Sequence, residues 1–424
     1  MDHVVSGAPP GPADPAPTRS YWQRTAPARR PVVPELPATA DTVVVGGGLL
    51  GACTAYWLAR AGQRPLLLDA AELAAGSTGR NSGMVVPALA EPYPRAVSRL
   101  GRATARRVYR TQLAGWRLLR EVVEGEGIDC HYRETGHLQL DLTAEHALDT
   151  ASTVAAIRAD GFEAAALDAR AVRALVSTEL AADLVGGLYL PGALVHSARL
   201  VAGVVAAAER YGATVRTGAR VTAVETSGDR VRLRVGAAKV EAGAAVLAVN
   251  AWTGRLRPEL AGLLTTADGQ MLATQPLPPI GRPGMSALLT RGGEYWQQAL
   301  DGSVLLGGCR SVGSGAPEHR LDRAVQLALD SVLPRLFPRL GRFRIDHRWS
   351  GQLVFTRDLL PVADRLPAGP VWVVGGFSGH GMPYGMALGQ AIAAALTGAP
   401  AGTVAGPDPL SLFRLDRTTL REAA

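Results

Sequence analysis

Lysine is almost missing. Of the 44 lysine and arginine residues in the 424-residue chain, Lys239 is the only lysine, so Schiff-base or lysine-base chemistry would have to run through a single position. That position lies in Val231-Arg-Leu-Arg-Val-Gly-Ala-Ala-Lys-Val-Glu, the alternation of an exposed hairpin, which argues against such chemistry. Cysteine is nearly as scarce. Cys53, Cys130 and Cys309 are scattered without C-x-x-C spacing, so neither a disulfide framework nor a zinc site is indicated and no metal is expected. Aromatic residues make up 5% of the chain. They are not interleaved with the arginines, so the net charge of +7 does not describe a stacking surface for nucleic acid. Arg102, Arg106, Arg107, Arg110, Arg117 and Arg120 recur among apolar residues of a helical stretch, as on a solvated face. No apolar run reaches the ~20 residues that span a bilayer, and the start, Met-Asp-His-Val-Val-Ser-Gly, has no basic region followed by an apolar block. The expectation is a cytoplasmic protein that binds neither membrane nor nucleic acid.

What the chain has in abundance is small and apolar. With 47% hydrophobic and 19% charged residues it has the balance of a globular enzyme, in one large or two interleaved domains. Asp41-Thr-Val-Val-Val-Gly-Gly-Gly-Leu-Leu-Gly51 reads as a strand buried on both faces, a glycine turn and the start of a helix. Gly46 allows the tight turn, Gly48 lets the backbone approach a pyrophosphate, and Gly51 lets the helix pack on the strand, leaving the amides of Leu49 and Leu50 near the phosphates. Arg64-Pro-Leu-Leu-Leu-Asp69 reads as a second strand ending in a carboxylate, at the distance where a ribose hydroxyl is held. The carboxylate is what lifts the glycine motif above chance in a chain with 49 glycines.

Further along, Ala74 to Met84 is small and polar, reading Gly76-Ser-Thr-Gly-Arg-Asn-Ser-Gly83. The periodicity predicts helix from about 95 to 125, a strand after Thr135, helix from Ser197 to Tyr211, the Lys239 hairpin, and a separate buried strand from Gly243 to Trp252. Gly269 to Thr274, Tyr295 to Leu300 and Ser303 to Arg310 read as antiparallel strands of a second sheet, followed by helix over 318–338. Val371-Trp-Val-Val-Gly-Gly-Phe-Ser-Gly-His-Gly-Met-Pro383 repeats strand, glycine turn and helix start, with Pro383 suited to the first turn of a helix.

Taken in order, Ser20-Tyr-Trp, Gly46 to Gly51 with Asp69, Gly76 to Gly83, Trp349-Ser-Gly351 with Asp358 to Pro361, and Gly376-Phe-Ser-Gly-His-Gly381 resemble the FAD-dependent oxidoreductases of the D-amino-acid oxidase, glycine oxidase and sarcosine oxidase superfamily. The nearest resemblance is to the bacterial branch acting on polyamine-derived amines such as gamma-glutamylputrescine. It implies a mixed α/β fold in which a Rossmann-type FAD-binding domain (38–95, 196–255 and 345–405) is interleaved with an antiparallel-sheet substrate domain (96–195 and 256–344), between a lead-in over 1–37 and a tail over 406–424. It also implies that Gly46, Gly48, Leu49, Leu50 and Gly51 hold the pyrophosphate, Asp69 the ribose and Val221 an adenine edge. Ser77, Thr78, Arg80, Asn81, Ser82, Gly83 and Met84 would lie along the isoalloxazine, with Gly379, His380, Gly381 and Met382 at its pyrimidine end.

The sequence also departs from that family. The cysteine that tethers flavin in some sarcosine oxidases has no counterpart over Gly351 to Thr356, and the Gly76 to Gly83 loop has no histidine, so non-covalent FAD is expected. Pro383 stands where those enzymes place a substrate-binding lysine. The expected reaction is oxidation of the C–N bond of an amine or amino acid by hydride transfer to the flavin, giving an imine that hydrolyses, with O2 as acceptor. Arg80, His380, Tyr295, Gln297 and Gln352 are the candidate pocket residues. The alternatives are a flavin dehydrogenase or natural-product tailoring enzyme using another acceptor, and, from another class, a non-catalytic nucleotide-binding module with a basic nucleic-acid or partner surface.

Overall fold

The computed structural model describes residues 18–27, 35–313, 320–398 and 408–421. The expected N-terminal tail over 1 to about 18 lies almost wholly outside them. The first half runs α1 (Tyr21–Thr25), β1 (Thr39–Val45), α2 (Leu49–Arg60), β2 (Leu66–Leu68), β3 (Met84–Val85), α3 (Tyr93–Leu100), α4 (Arg102–Gly125), β4 (His137–Asp141), α5 (Ala144–Ala159), β5 (Ala165–Asp168), α6 (Ala169–Leu175), β6 (Gly186–Leu190), β7 (Ala193–Leu194), α7 (Ser197–Arg210) and β8 (Thr214–Arg216). There follow β9 (Val221–Ser227), β10 (Arg230–Val235), β11 (Ala238–Leu247), α8 (Thr253–Leu256), β12 (Thr265–Pro276), β13 (Gly284–Ala287), β14 (Glu294–Gln298), β15 (Ser303–Gly307), α9 (Arg323–Leu336), β16 (Ile345–Phe355), β17 (Val362–Arg365), β18 (Val371–Gly375), α10 (Tyr384–Thr397) and α11 (Thr418–Arg421).

One sheet is the nucleotide-binding layer. Strands β18, β11, β1, β2 and β8 lie side by side and parallel, with β17 antiparallel at one edge and the β9–β10 hairpin extending from β11. Val43 to Val45 and Leu66 to Leu68 are buried on both faces, as central parallel strands must be. Apolar nearly all round, α2 and α10 pack on one another. A Cβ on Gly385 would meet Leu49 and one on Gly389 would meet the Cys53 backbone at 2.9 Å, so two glycines one turn apart set the close approach.

The second sheet runs β16-β12-β15-β14-β13-β4-β6-β5 and is antiparallel except where β13 meets β4. Its outer face buries Leu138, Leu140, Met285, Trp296 and Leu306 against α9 and its surroundings. Its inner face, carrying Leu188, Leu190, Met271 and Trp349, joins the core of the nucleotide-binding half.

Four sequence expectations change. The helix expected over 95 to 125 is two helices, broken at Gly101, whose φ of 79° only glycine adopts without strain. The Lys239 hairpin and the buried strand after Gly243 are one strand, β11, whose first half pairs β10 and whose second half enters the parallel sheet. Although the resemblance places 345–405 in the FAD-binding domain, β16 lies in the second sheet, paired antiparallel along β12 from Thr265 to Thr274, with Arg348 turned to α9 and Trp349 to the inner core. Residues 408–421 are no tail. Pro409–Phe413 forms a 3-10 turn with Phe413 fully buried, and Arg417 donates twice to Asp358, at 2.6 and 2.9 Å.

Candidate flavin and substrate site

At the end of β1 the chain turns through Gly46, with φ of 112° and its amide bonded to Leu68 O at 2.7 Å. A Cβ at Gly51 would lie 1.8 Å from Gly46 O, so α2 rests directly on the turn. Gly48 is the N-cap of α2 and offers no side chain to the first-turn amides, and a Cβ there would meet only Thr78 Oγ1, at 3.2 Å. The helix start therefore presents its dipole toward open space, as an anion site requires. Asp69 closes β2. Its Oδ2 accepts from Gly47 N at 2.6 Å and its Oδ1 from Ala71 N at 2.7 Å. Burial raises its pKa, against the lowering effect of those amides and of nearby Arg220. Val221 begins β9 and is buried beyond Asp69, whose carbonyl accepts from Ala219 N. A helix start whose N-cap is a glycine, a carboxylate and a cradle that a methyl would fill together fit the phosphate and ribose of a dinucleotide.

Residues 74–84 form a hub. Thr78 Oγ1 accepts from Leu49 N at 3.1 Å, tying the loop to α2. Ser77 Oγ donates to Gln352 O and Trp349 Nε1 donates to Arg80 O at 2.9 Å, tying it to β16. Asn81 Oδ1 accepts from Gly83 N and from Ser197 Oγ at the start of α7. From the other side α1 clamps it: Ser20 Oγ donates to Gly79 O, Trp22 Nε1 to Asn81 O, and Gln23 Nε2 to Ala74 O and Ala75 O. A capping box built from Ser20 and Gln23 holds α1 itself. Arg80, 9% exposed, donates from Nε to Ala75 O and from Nη1 to Ser350 O. Burial lowers its pKa. Its bonds to carbonyls make it a brace between loop and sheet. Ser82 offers its carbonyl to Gln297 Nε2, and Met84 opens β3.

The second glycine turn follows β18. Gly376 has φ of 74°, and its amide donates to Asn250 Oδ1 at 2.9 Å. Ser378 and Leu359 hold positive φ without being glycine, strain of the kind that collects at ligand sites. Gly379 is exposed with φ of 85°, and no atom lies within 4 Å of where its Cβ would be. His380 Nδ1 lies 3.1 Å from Ser378 O, and burial lowers its pKa. Gly381 and Met382 lead to Pro383, the N-cap of α10.

The expected pocket residues separate. Tyr295 and Gln297 share the inner face of β14, while Trp296 points into the outer core. Gln297 is 1% exposed and bridges Ser82 O and Arg133, so it positions the loop. Gln352 faces away from Gly351 and Trp349, and its Nε2 donates to Asp268. Sequence reasoning did not single out His137 and Ser286, which stand on the inner face beside Tyr295. Only the strand register reveals them. It also missed Asn250, although this residue directly ends a buried run. Among the described residues no group of three or more His, Cys, Asp or Glu could hold a metal ion, and no helix is long and apolar enough to cross a membrane.

The family described as "DAO: FAD dependent oxidoreductase" matches residues 41–395, from the first strand through the helix after the second glycine turn. The chain belongs to this family. It is 28% identical over 356 residues to gamma-glutamylputrescine oxidoreductase of Escherichia coli (strain K12), covering 81% of this chain and 80% of that protein. To the probable oxidoreductase OrdL of Rhizobium meliloti (strain 1021) it is 26% identical over 378 residues, covering 87% and 85%. The crystal structure of glycine oxidase from Geobacillus kaustophilus superposes with a TM-score of 0.75 at 21% identity, over 90% of this chain and 99% of that one. That of L-proline dehydrogenase from P. horikoshii gives 0.75 at 19%, over 88% and 98%. The chain is thus an FAD-dependent oxidoreductase with the mixed α/β fold of these flavoenzymes and a Rossmann-type FAD-binding layer.

Proposed function

We propose that this enzyme oxidises the C–N bond of a small amine or amino acid, giving an imine that hydrolyses, with O2 as final acceptor. Bound FAD, held without a covalent tether, supplies the two-electron acceptor for that chemistry. The observation that carries the reading is that the second sheet is tied to both glycine-rich segments, to the 77–84 loop through Gln297 and Ser82 O beside Tyr295 and to the 376–382 turn through Ser378 N and Val354 O. Relatives that share this plan include gamma-glutamylputrescine oxidoreductase, glycine oxidase and the iminodiacetate oxidase of Chelativorans sp. BNC1. Gly46, Gly48 and Gly51 with the first amides of α2 hold the phosphates, and Asp69 takes the ribose. The 77–84 and 376–382 segments enclose the ring, and the protein's part is orientation and exclusion of water.

Anaerobic mixing of the holoenzyme with a panel of amines and amino acids should bleach the flavin with at least one of them. A colourless protein that releases no flavin on heating refutes the assignment. Aerobic turnover should form hydrogen peroxide in step with substrate loss. Turnover that needs an artificial acceptor instead marks a dehydrogenase.

A further inference from the structure

The inner face of the second sheet holds a histidine with a ring nitrogen to spare. Leu138, Leu140, Met285, Ala287 and Trp296 all point into the outer core, so by strand alternation His137, Ser286 and Tyr295 point inward. Register places them side by side. His137 pairs with Gly284 across β4 and β13, and Ser286 pairs with Tyr295 across β13 and β14. His137 Nε2 lies 2.9 Å from Ser286 Oγ, while its Nδ1 is buried with no hydrogen-bond partner. Leaving such an atom unpaired is unfavourable, and in a native protein it asks for a partner.

Both ring-facing segments reach this residue. A Cβ on Gly284, its cross-strand neighbour, would lie 3.1 Å from Met84 Sδ, at the end of the 77–84 loop. His380, in the 376–382 turn, is a charged neighbour that contributes to lowering the His137 pKa. His137 therefore stands on the second sheet beside the end of the 77–84 loop, within electrostatic reach of the other glycine turn.

We propose that His137, oriented by Ser286, is a substrate-contacting residue whose Nδ1 accepts a hydrogen bond from the substrate amine N–H. The inference rests on the amine-oxidation reading above. With Nε2–H donating to Ser286 Oγ, Nδ1 carries the lone pair. Burial first, then the neighbouring His380, lowers its pKa to about 4, so near neutral pH the imidazole accepts a hydrogen bond without taking the proton. A contact of this kind favours an amine that arrives neutral, the form that can be oxidised.

tert-Butylamine has no hydrogen on the carbon bearing nitrogen, so it can bind but cannot be oxidised, and its binding can be read as a shift in flavin absorbance of the holoenzyme. His137→Ala and His137→Gln should raise its Kd roughly tenfold at unchanged flavin content, tenfold being about 1.4 kcal/mol. His137→Asn, whose amide oxygen can stand near the place of Nδ1, should restore most of the affinity. For whichever amine bleaches the flavin, the first two variants should raise KM more than they lower kcat. If wild-type flavin responds to tert-butylamine and the His137→Ala and His137→Gln variants, each with full flavin, bind it equally well, this inference falls alone. A wild-type flavin that neither tert-butylamine nor n-butylamine perturbs overturns this inference, and one that no amine or amino acid of the panel bleaches overturns the amine-oxidation reading as well.

Discussion

Gly48 and Gly51 stand three residues apart in the same motif, yet the structure gives them different tasks that one pair of variants can separate. At Gly51 a methyl would lie 1.8 Å from Gly46 O, whereas real Cβ contacts essentially never fall below 3.0 Å. In Gly51→Ala the start of α2 must therefore retreat by about an ångström, at an overpacking cost of about 1–3 kcal/mol. Because that same helix start is the proposed phosphate cradle, FAD affinity should fall along with the thermal midpoint of the apoprotein. At Gly48 the protein offers a methyl only Thr78 Oγ1, at 3.2 Å, and the backbone sits at φ −81°. Gly48→Ala should thus cost the apoprotein no more than roughly 0.5–1 kcal/mol, the N-cap preference, while the methyl occupies the approach to the pyrophosphate and weakens FAD binding at least tenfold. The assay is titration of FAD into deflavinated protein, read by quenching of flavin fluorescence, beside melting of the same preparations. Gly125→Ala serves as control: nothing lies within 4 Å of a Cβ there and the residue ends α4, so the melting point should hold or rise. Normal FAD affinity in Gly48→Ala would refute the placement of the pyrophosphate. An unshifted melt in Gly51→Ala would refute the helix-on-turn contact.

Other consequences can be measured alongside. His196, 2% exposed, caps α7 by accepting from Arg199 N at Nδ1 while its Nε2 lies 3.0 Å from Thr25 Oγ1. Burial first, and then His131 and Arg199, lower its pKa from 6.5 to about 4. Between those values the unfolded chain binds the extra proton, so this contribution is complete above pH 6.5 and is lost as pH falls through 4; it amounts to about 3 kcal/mol. His196→Asn, which keeps a cap but does not titrate, should flatten melting point against pH between 4 and 7; an unchanged slope would assign the effect elsewhere. Arg417→Ala leaves the Asp358 carboxylate, whose side chain is 1% exposed, with Thr419 and Leu360 N as remaining donors, and should cost about 3–5 kcal/mol of stability. Gln297→Leu removes the Gln297 donor from Ser82 O while Arg133 keeps its bond to Gln298 O, so flavin should dissociate faster at a stability cost of about 1–3 kcal/mol. Wild-type release kinetics would show that the 77–84 loop is held without it.

The sequence by itself determined the cofactor layer. Turns through Gly46, Gly376 and Gly379 demand backbone angles that side chains resist, and Val43 to Val45 and Leu66 to Leu68 admit no solvent face, so local chemistry dictates strand, turn and helix in that order. Pocket composition could not be read in the same way. Whether a residue on the second sheet faces flavin or outer core depends on register between strands far apart in the chain, and a shift of one residue exchanges the faces. That register separates Gln352 from Tyr295, sets Gln297 to bracing the loop and brings His137 beside Ser286. The interleaving of the halves was likewise decided in three dimensions. Trp349 and Ser77 join β16 to the 77–84 loop, while the long pairing of β16 with β12 keeps it in the other sheet, because a strand's hydrogen bonds and its side chains can serve different partners.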